Sequence, residues 1–342
     1  MPYQLAHDGV VREFELFTPI GWEYWVERAF AEDGRNGLPL VIALHGGGQT
    51  PATFAEQWPF PLLNYDPNSA NWEDRFFVLY PYGFASTPRL DGEPARGWNT
   101  GFSGLYTEGR DDVGFLRTAV AAVEEMLRSA LARAGIRRDP IDRDRRFLFG
   151  YSMGGMMAYR MVHEVPDVFA ALWVVSSAIG GRANEGLTRT VTNDPRGTTS
   201  VSLFAHHGDN DLIVPPGPVG DPTGRAQSLV SVLLHSATGV PAADAAIHAD
   251  SVRHLEAAVV GYISHNDCEP APFSTSSTEP DLAGGTTSER RVFRQASGSS
   301  NPEVVVYRDP AMDHEGFTSS ANRYFRPADV WDFFKAHPRV GL

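Results

Sequence analysis

Cysteine is nearly absent. Cys268 stands alone in 342 residues, so no intrachain disulfide can form, which fits a reducing compartment and equally a secreted protein that does without one. Basic residues are also scarce. Against 42 Asp and Glu there are 29 Lys and Arg, for a net charge of −13. An acidic surface repels nucleic acid and anionic membranes, and neither a basic run nor a repeat offsets it. No apolar run approaches the ~18 residues that would span a bilayer. The opening MPYQLAHDGVVREFELF has neither a basic n-region nor an apolar h-region, so no signal peptide is expected in this chain. Oligomeric state leaves no mark on the sequence.

What remains is an ordinary globular composition, 42% hydrophobic and 21% charged, ample for a large core. Alternating apolar positions predict two strands over residues 10–30, VVREFELFTP and WEYWVERAF, paired as an antiparallel hairpin. LPLVIAL, RFFVLYP, RRFLFGY, FAALWVVSSA, SVSLFAHHG and PEVVVYRD are continuous apolar runs, the pattern of strands buried on both faces. Helical spacing falls between them, at 112–134, 153–164, 250–265 and 327–336. The alternation predicts an α/β fold with a mostly parallel central sheet flanked by helices. One domain over 1–342 is expected. Residues 81–110, 215–250 and 270–300 read as long loops, with a lid-like or rim insertion around 215–300.

The stretch FGYSMGGMMAYR carries the chemistry. A buried strand, then Gly150-Tyr151-Ser152-Met153-Gly154, then a helix is the context a nucleophile elbow requires, and Ser152 is the candidate nucleophile. A serine hydroxyl needs a base, and the base needs an orienting carboxylate. SVSLFAHHGDNDLIVP offers Asp209 and Asp211 at the carboxyl end of a strand, and spacing does not separate them. His206 and His207 could join these aspartates as metal ligands, but no further ligand group is patterned around them. Of the later histidines, His314 follows a strand directly, which makes it the candidate base. The glycine-rich turn of VIALHGGGQTPATF can aim backbone N–H groups at an oxyanion, Gly47 first and Gly48 next, with the Met153 N–H as second donor. No Lys-Ser/Thr follows those glycines, which rejects a phosphate-binding loop. His45 reads as a structural turn histidine. Asp111 or Asp112 is expected to cap the following helix.

With these residues in view, the chain resembles the polyhydroxybutyrate depolymerase and feruloyl esterase group of α/β-hydrolases. LHGGGQTPATFAEQ is similar to that group's oxyanion loop, GWNTG and DDVGFLRTAV to its next markers, and GYSMGGMMAYRMVHEVPDVFAAL to its elbow. HHGDNDLIVP resembles an H-G-x-x-D-x-x-V-P block, which places the acid at Asp211, and MDHEGF takes the place of G-G-H-x-W-P. The resemblance implies an ester hydrolase that needs no cofactor or metal, acting on polyesters, feruloyl or acetyl esters of plant cell walls, or small aryl esters. Met312 and Asp313 replace the glycines usual before the base. The partner cysteine that members often pair at the position of Cys268 is missing.

Trp98 and Asn99, with Phe102 and Tyr106 near by, are candidate substrate-binding residues. Trp98 can equally pack its own loop. A serine peptidase, an acyltransferase and a non-catalytic binding protein are the rival classes. The first would need a substrate-gating domain for which there is no room, and the last would be expected to lose one of the three site residues.

Overall fold

The computed structural model describes residues 2–61, 72–88, 94–100, 110–165, 168–179, 200–211, 213, 214, 216, 255–278, 288–299, 301–310, 312–314 and 327–339. Within them a ten-stranded sheet runs in the order β1-β2-β4-β3-β7-β8-β9-β12-β11-β10. Its centre, β4 (Phe77–Pro81), β3 (Leu38–Leu44), β7 (Ile141–Tyr151), β8 (Ala171–Val175), β9 (Ser202–Gly208) and β12 (Glu303–Asp309), is parallel. Antiparallel strands flank it: β1 (Tyr3–His7) and β2 (Val10–Phe17) on one side, β11 (Ser288–Arg294) and β10 (Ser274–Thr278) on the other. A separate small hairpin joins β5 (Phe84–Pro88) to β6 (Pro94–Gly97).

The continuous apolar runs have a simple cause. Successive residues of a strand face opposite sides, and here both sides are covered. Leu40, Ile42, Leu44, Val304 and Val306 enter one core with residues from helices α1 (Trp22–Asp33), α3 (Asp112–Arg133), α4 (Met153–Glu164) and α5 (Leu255–His265). Val41, Ala43 and Val305 enter the other, against Phe54 of α2 (Pro51–Gln57) and Trp331 and Phe334 of α6 (Pro327–Ala336). No described helix is long and apolar enough to cross a membrane.

Three expectations are corrected, the first being that residues 81–110, read as a long loop, contain the β5–β6 hairpin. WEYWVERAF is a helix, because Trp22, Val26 and Ala29 are its buried residues, at helical spacing, and left-handed Gly21 and Gly34 bound it. The alternation of aromatic and polar residues there imitates a strand; β2 instead makes its hairpin with β1. The stretch 270–300, read as loop, contains β10 and β11. Described β10 side chains are exposed hydroxyls, so the strand carries no hydrophobic period to detect. Most of the insertion expected at 215–300 lies outside the described residues.

Because the central strands are parallel, the loops after β3, β7, β8, β9 and β12 leave one edge of the sheet together. That edge is where ligands gather in such folds.

Candidate active site

β7 ends at Tyr151, and Ser152 turns the chain into α4 with φ 52° and ψ −121°. A non-glycine residue held there costs ~1–3 kcal/mol. Three hydrogen bonds fix it: the Ser152 N–H donates to Val175 O at 2.9 Å, while Ser152 O accepts from Met156 N–H and the Ser177 hydroxyl, each at 3.1 Å. The turn also needs close approach. A Cβ on Gly150 would strike the Gly154 carbonyl, and one on Gly154 would strike those of Leu44 and His45. The Ser152 hydroxyl thus stands at the positive end of α4.

His314, from the loop after β12, meets it. Its Nε2 lies 3.0 Å from Ser152 Oγ and its Nδ1 2.8 Å from Asp211 Oδ2. With Nδ1–H donating to the carboxylate, Nε2 is left to accept the serine proton. Asp211 is almost wholly buried, at 1% exposure, and its hydrogen-bond donors stabilise an anion. Oδ1 accepts the backbone N–H groups of Ile213 (2.9 Å) and Val214 (2.7 Å). Oδ2 also lies 3.3 Å from His207 Nε2, whose one N–H it shares with Val214 O at 2.7 Å. Burial alone would raise the Asp211 carboxyl, but hydrogen bonds from His207 and His314 outweigh it and hold the group well below the usual carboxylate range.

Asp209, the other aspartate that spacing left open, is engaged elsewhere. Arg308 reaches its Oδ1 with Nε at 2.7 Å and Nη2 at 2.6 Å. Only Asp211 of the two contacts His314.

Gly47 lies beside Met153: a Cβ built on Gly47 would sit 3.3 Å from Met153 Cε. The Gly48 N–H donates to Arg96 O at 2.7 Å, so it is already spent and the expectation of it as an oxyanion donor is corrected. His45 is a turn residue. Its Nδ1–H donates to Gly46 O at 2.8 Å and its Nε2 accepts from Gly83 N–H at 2.9 Å. Burial takes its pKa down to about 4, so it stays neutral.

Trp98, expected at the cleft, is fully enclosed. Its indole N–H donates to His45 O at 2.9 Å and its ring lies 5.0 Å from the His45 imidazole. It props the loop that carries Gly47 and presents no surface to a ligand. Asn99 is likewise tied into the scaffold. Its N–H donates to Asp112 Oδ2 at 2.5 Å, its side-chain amide to Arg110 O at 2.6 Å, and its carbonyl accepts from Arg160 Nη1. Phe102 and Tyr106 lie outside the described residues. Asp111 is the cap of α3, accepting from Gly114 N–H, whereas Asp112 is buried against Arg12 at 2.6 Å.

Sequence reasoning passed over Tyr151 and Ser177. The Tyr151 hydroxyl donates to His314 O at 2.9 Å, so the residue preceding the serine pins the loop of the histidine. The one signal for it was its place inside the Gly150–Gly154 frame. His207 was weighed as a metal ligand, not as a donor to Asp211.

No protein-family model matches the chain, nor does any curated protein. Solved structures do. An acetyl xylan esterase from Aspergillus awamori superposes with a TM-score of 0.52 at 12% identity, over 98% of this chain and 99% of its own. A siderophore hydrolase from Aspergillus nidulans gives 0.49 at 15% identity over 99% and 96% of the two chains. A ferulic acid esterase gives 0.39 at 20% identity over 62% and 79%. With the sheet order and the strand–serine–helix turn, the first match decides the architecture. The fold is that of the α/β-hydrolases. At 12% identity the match speaks to fold alone.

Proposed function

We propose that this chain is a serine carboxylic-ester hydrolase working through an acyl-enzyme. The observation that carries the reading is the hydrogen-bonded line from Ser152 Oγ to His314 Nε2 (3.0 Å) and from His314 Nδ1 to Asp211 Oδ2 (2.8 Å), built on a strained turn at a helix N-terminus. Ser152 attacks the ester carbonyl as His314 Nε2 takes its proton, and the Asp211 anion stabilises the imidazolium that forms. The negative charge on the carbonyl oxygen is held by the N–H groups of Met153 and Gly47, each such donor being worth about 10²–10³ in rate. His314 then gives its proton to the leaving alcohol and takes one from the water that releases the acid.

The sequence resemblance favours polyhydroxyalkanoate-type or aromatic polyesters and feruloyl or other aryl esters. Acetylated carbohydrate, also implied by that resemblance, is the alternative, and the fold counterpart from Aspergillus awamori is an acetyl xylan esterase. Initial rates on a short p-nitrophenyl ester, methyl ferulate, a 3-hydroxybutyrate oligomer and acetylated xylan, with Ser152→Ala as blank, test the reading. Turnover of the short ester above the blank, with one natural-type ester exceeding the rest, is expected. Rates equal to the blank throughout would sink it.

A further inference from the structure

Met153 does more than contribute a backbone N–H. Its thioether sulfur accepts the backbone N–H of Trp98 at 3.4 Å. A Cβ on Gly47 would lie 3.3 Å from its Cε and 3.7 Å from its Sδ, so the end of the side chain lies against Gly47. One flexible thioether therefore joins three parts: the residue after the nucleophile, the glycine of the facing loop, and the strut Trp98 beneath that loop.

Its exposure also sets it apart. Met156, Met157, Met161 and Met312 are buried, at 8%, 0%, 0% and 1%. Among the described residues, Met153 and Met126 are the methionines that keep some contact with solvent. Met126 sits in the C-terminal half of α3. Cys268, the remaining sulfur among the described residues, is buried, and burial pushes its thiol up to about 11, so the reactive thiolate is scarce.

We propose that Met153 is an oxidation-sensitive modification site, where a peroxide converts the thioether to the sulfoxide and thereby switches the neighbouring ester-hydrolase site off. The proposal rests on the hydrolase reading above. The step balances without a further reagent: the Sδ lone pair attacks one peroxide oxygen, the O–O bond breaks, sulfur loses two electrons as it gains that oxygen, and the peroxide leaves as water or an alcohol. The new oxygen is bulky and carries partial negative charge. Set against Gly47, it crowds one oxyanion donor and opposes the charge that grows on the substrate carbonyl. It would also draw the backbone N–H of Trp98 away from the sulfur. Because the disturbance acts where transition-state charge is held, kcat falls while KM changes little.

The test treats the whole protein with hydrogen peroxide and follows three quantities: ester turnover, labelling of Ser152 by a fluorophosphonate, and sulfoxide at each methionine by peptide mass. A kcat loss of about 10- to 100-fold is expected, tracking the Met153 sulfoxide and reversed by methionine sulfoxide reductase. Met126→Leu should lose activity as the wild type does. Met153→Leu, compared with its own untreated rate, should resist. Full conversion of Met153 with kcat preserved would overturn the proposal, as would equal sensitivity of Met153→Leu. An untreated protein no faster than Ser152→Ala, and unlabelled, would overturn the hydrolase reading and the proposal with it.

Discussion

Arg308, on the strand that leads to His314, closes with two nitrogens on Asp209, two residues before Asp211. The backbone repeats the link: Asp209 N–H donates to Asp309 O at 2.8 Å and Asn210 N–H to Met312 O at 3.0 Å. The acid loop and the base loop are thus fastened together before Asp211 and His314 meet. The two aspartates divide the work. Asp209 joins the loops, and Asp211 faces the imidazole.

That division can be measured. Asp211→Asn should lower kcat by about 10⁴-fold, because an amide neither holds the imidazole in the right tautomer nor offsets its charge. Asp209→Asn should leave kcat within about tenfold and cost about 1 kcal/mol of stability. The side chain of Asp209 is 30% exposed, and Arg308 keeps Glu256 at 2.9 Å. Parallel kinetics and thermal melts decide it; equal kcat losses would remove the distinction.

Ser152 stores strain at φ 52°, and that has a consequence opposite in sign to the usual one. Glycine is normally the less stable choice against alanine, by roughly 0.5–1 kcal/mol in regular structure. At Ser152 both replacements lose the hydroxyl, but only glycine relaxes the backbone. Ser152→Gly should therefore be more stable than Ser152→Ala by about 1 kcal/mol in chemical denaturation, with both inactive. A less stable glycine variant would show that the turn holds no strain.

The depressed Asp211 carboxyl makes stability depend on pH. Its folded value lies below the ordinary one, so in acid the unfolded chain binds the proton more readily than the folded chain does. The stabilisation is complete above about pH 5 and is lost as pH falls through the ordinary carboxylate range toward the folded value. The Tm of the wild type should drop faster than that of Asp211→Asn between about pH 5 and pH 3. Glu303, also held low although burial opposes it, through His337 and Arg294, is common to both proteins and cancels. Melting curves that fall in parallel would refute the linkage.

Much of this architecture is legible in the residues, for identifiable reasons. Leu38–Leu44 and Glu303–Asp309 announce buried strands because every position is apolar or enclosed, and Ser152 announces itself through the glycines around it. WEYWVERAF misleads because a helix with aromatic residues at Trp22 and Trp25 has the same local alternation as a strand. The choice between Asp209 and Asp211 is invisible to spacing, since what separates them is Arg308, about a hundred positions away in the chain. Gly48 looks as good a donor as Gly47 until Arg96 O claims its N–H. Such losses are long-range hydrogen bonds, which no local pattern encodes.

Trp98 shows the same limit. An aromatic residue in a Gly-rich loop reads as a ligand platform, yet its indole N–H goes to His45 O and its ring is enclosed. Trp98→Phe keeps most of the packing and deletes that donor to a buried carbonyl, at a cost of about 1–3 kcal/mol. The carbonyl belongs to the residue two before Gly47, so the loss should reach the oxyanion loop. A lower Tm and a several-fold lower kcat are expected, with the ratio of KM values for methyl ferulate and a short alkyl ester unchanged. A residue that touched the acyl group would change that ratio, because it would contact the two substrates differently. A KM ratio that moves while Tm stays fixed would therefore return Trp98 to the cleft.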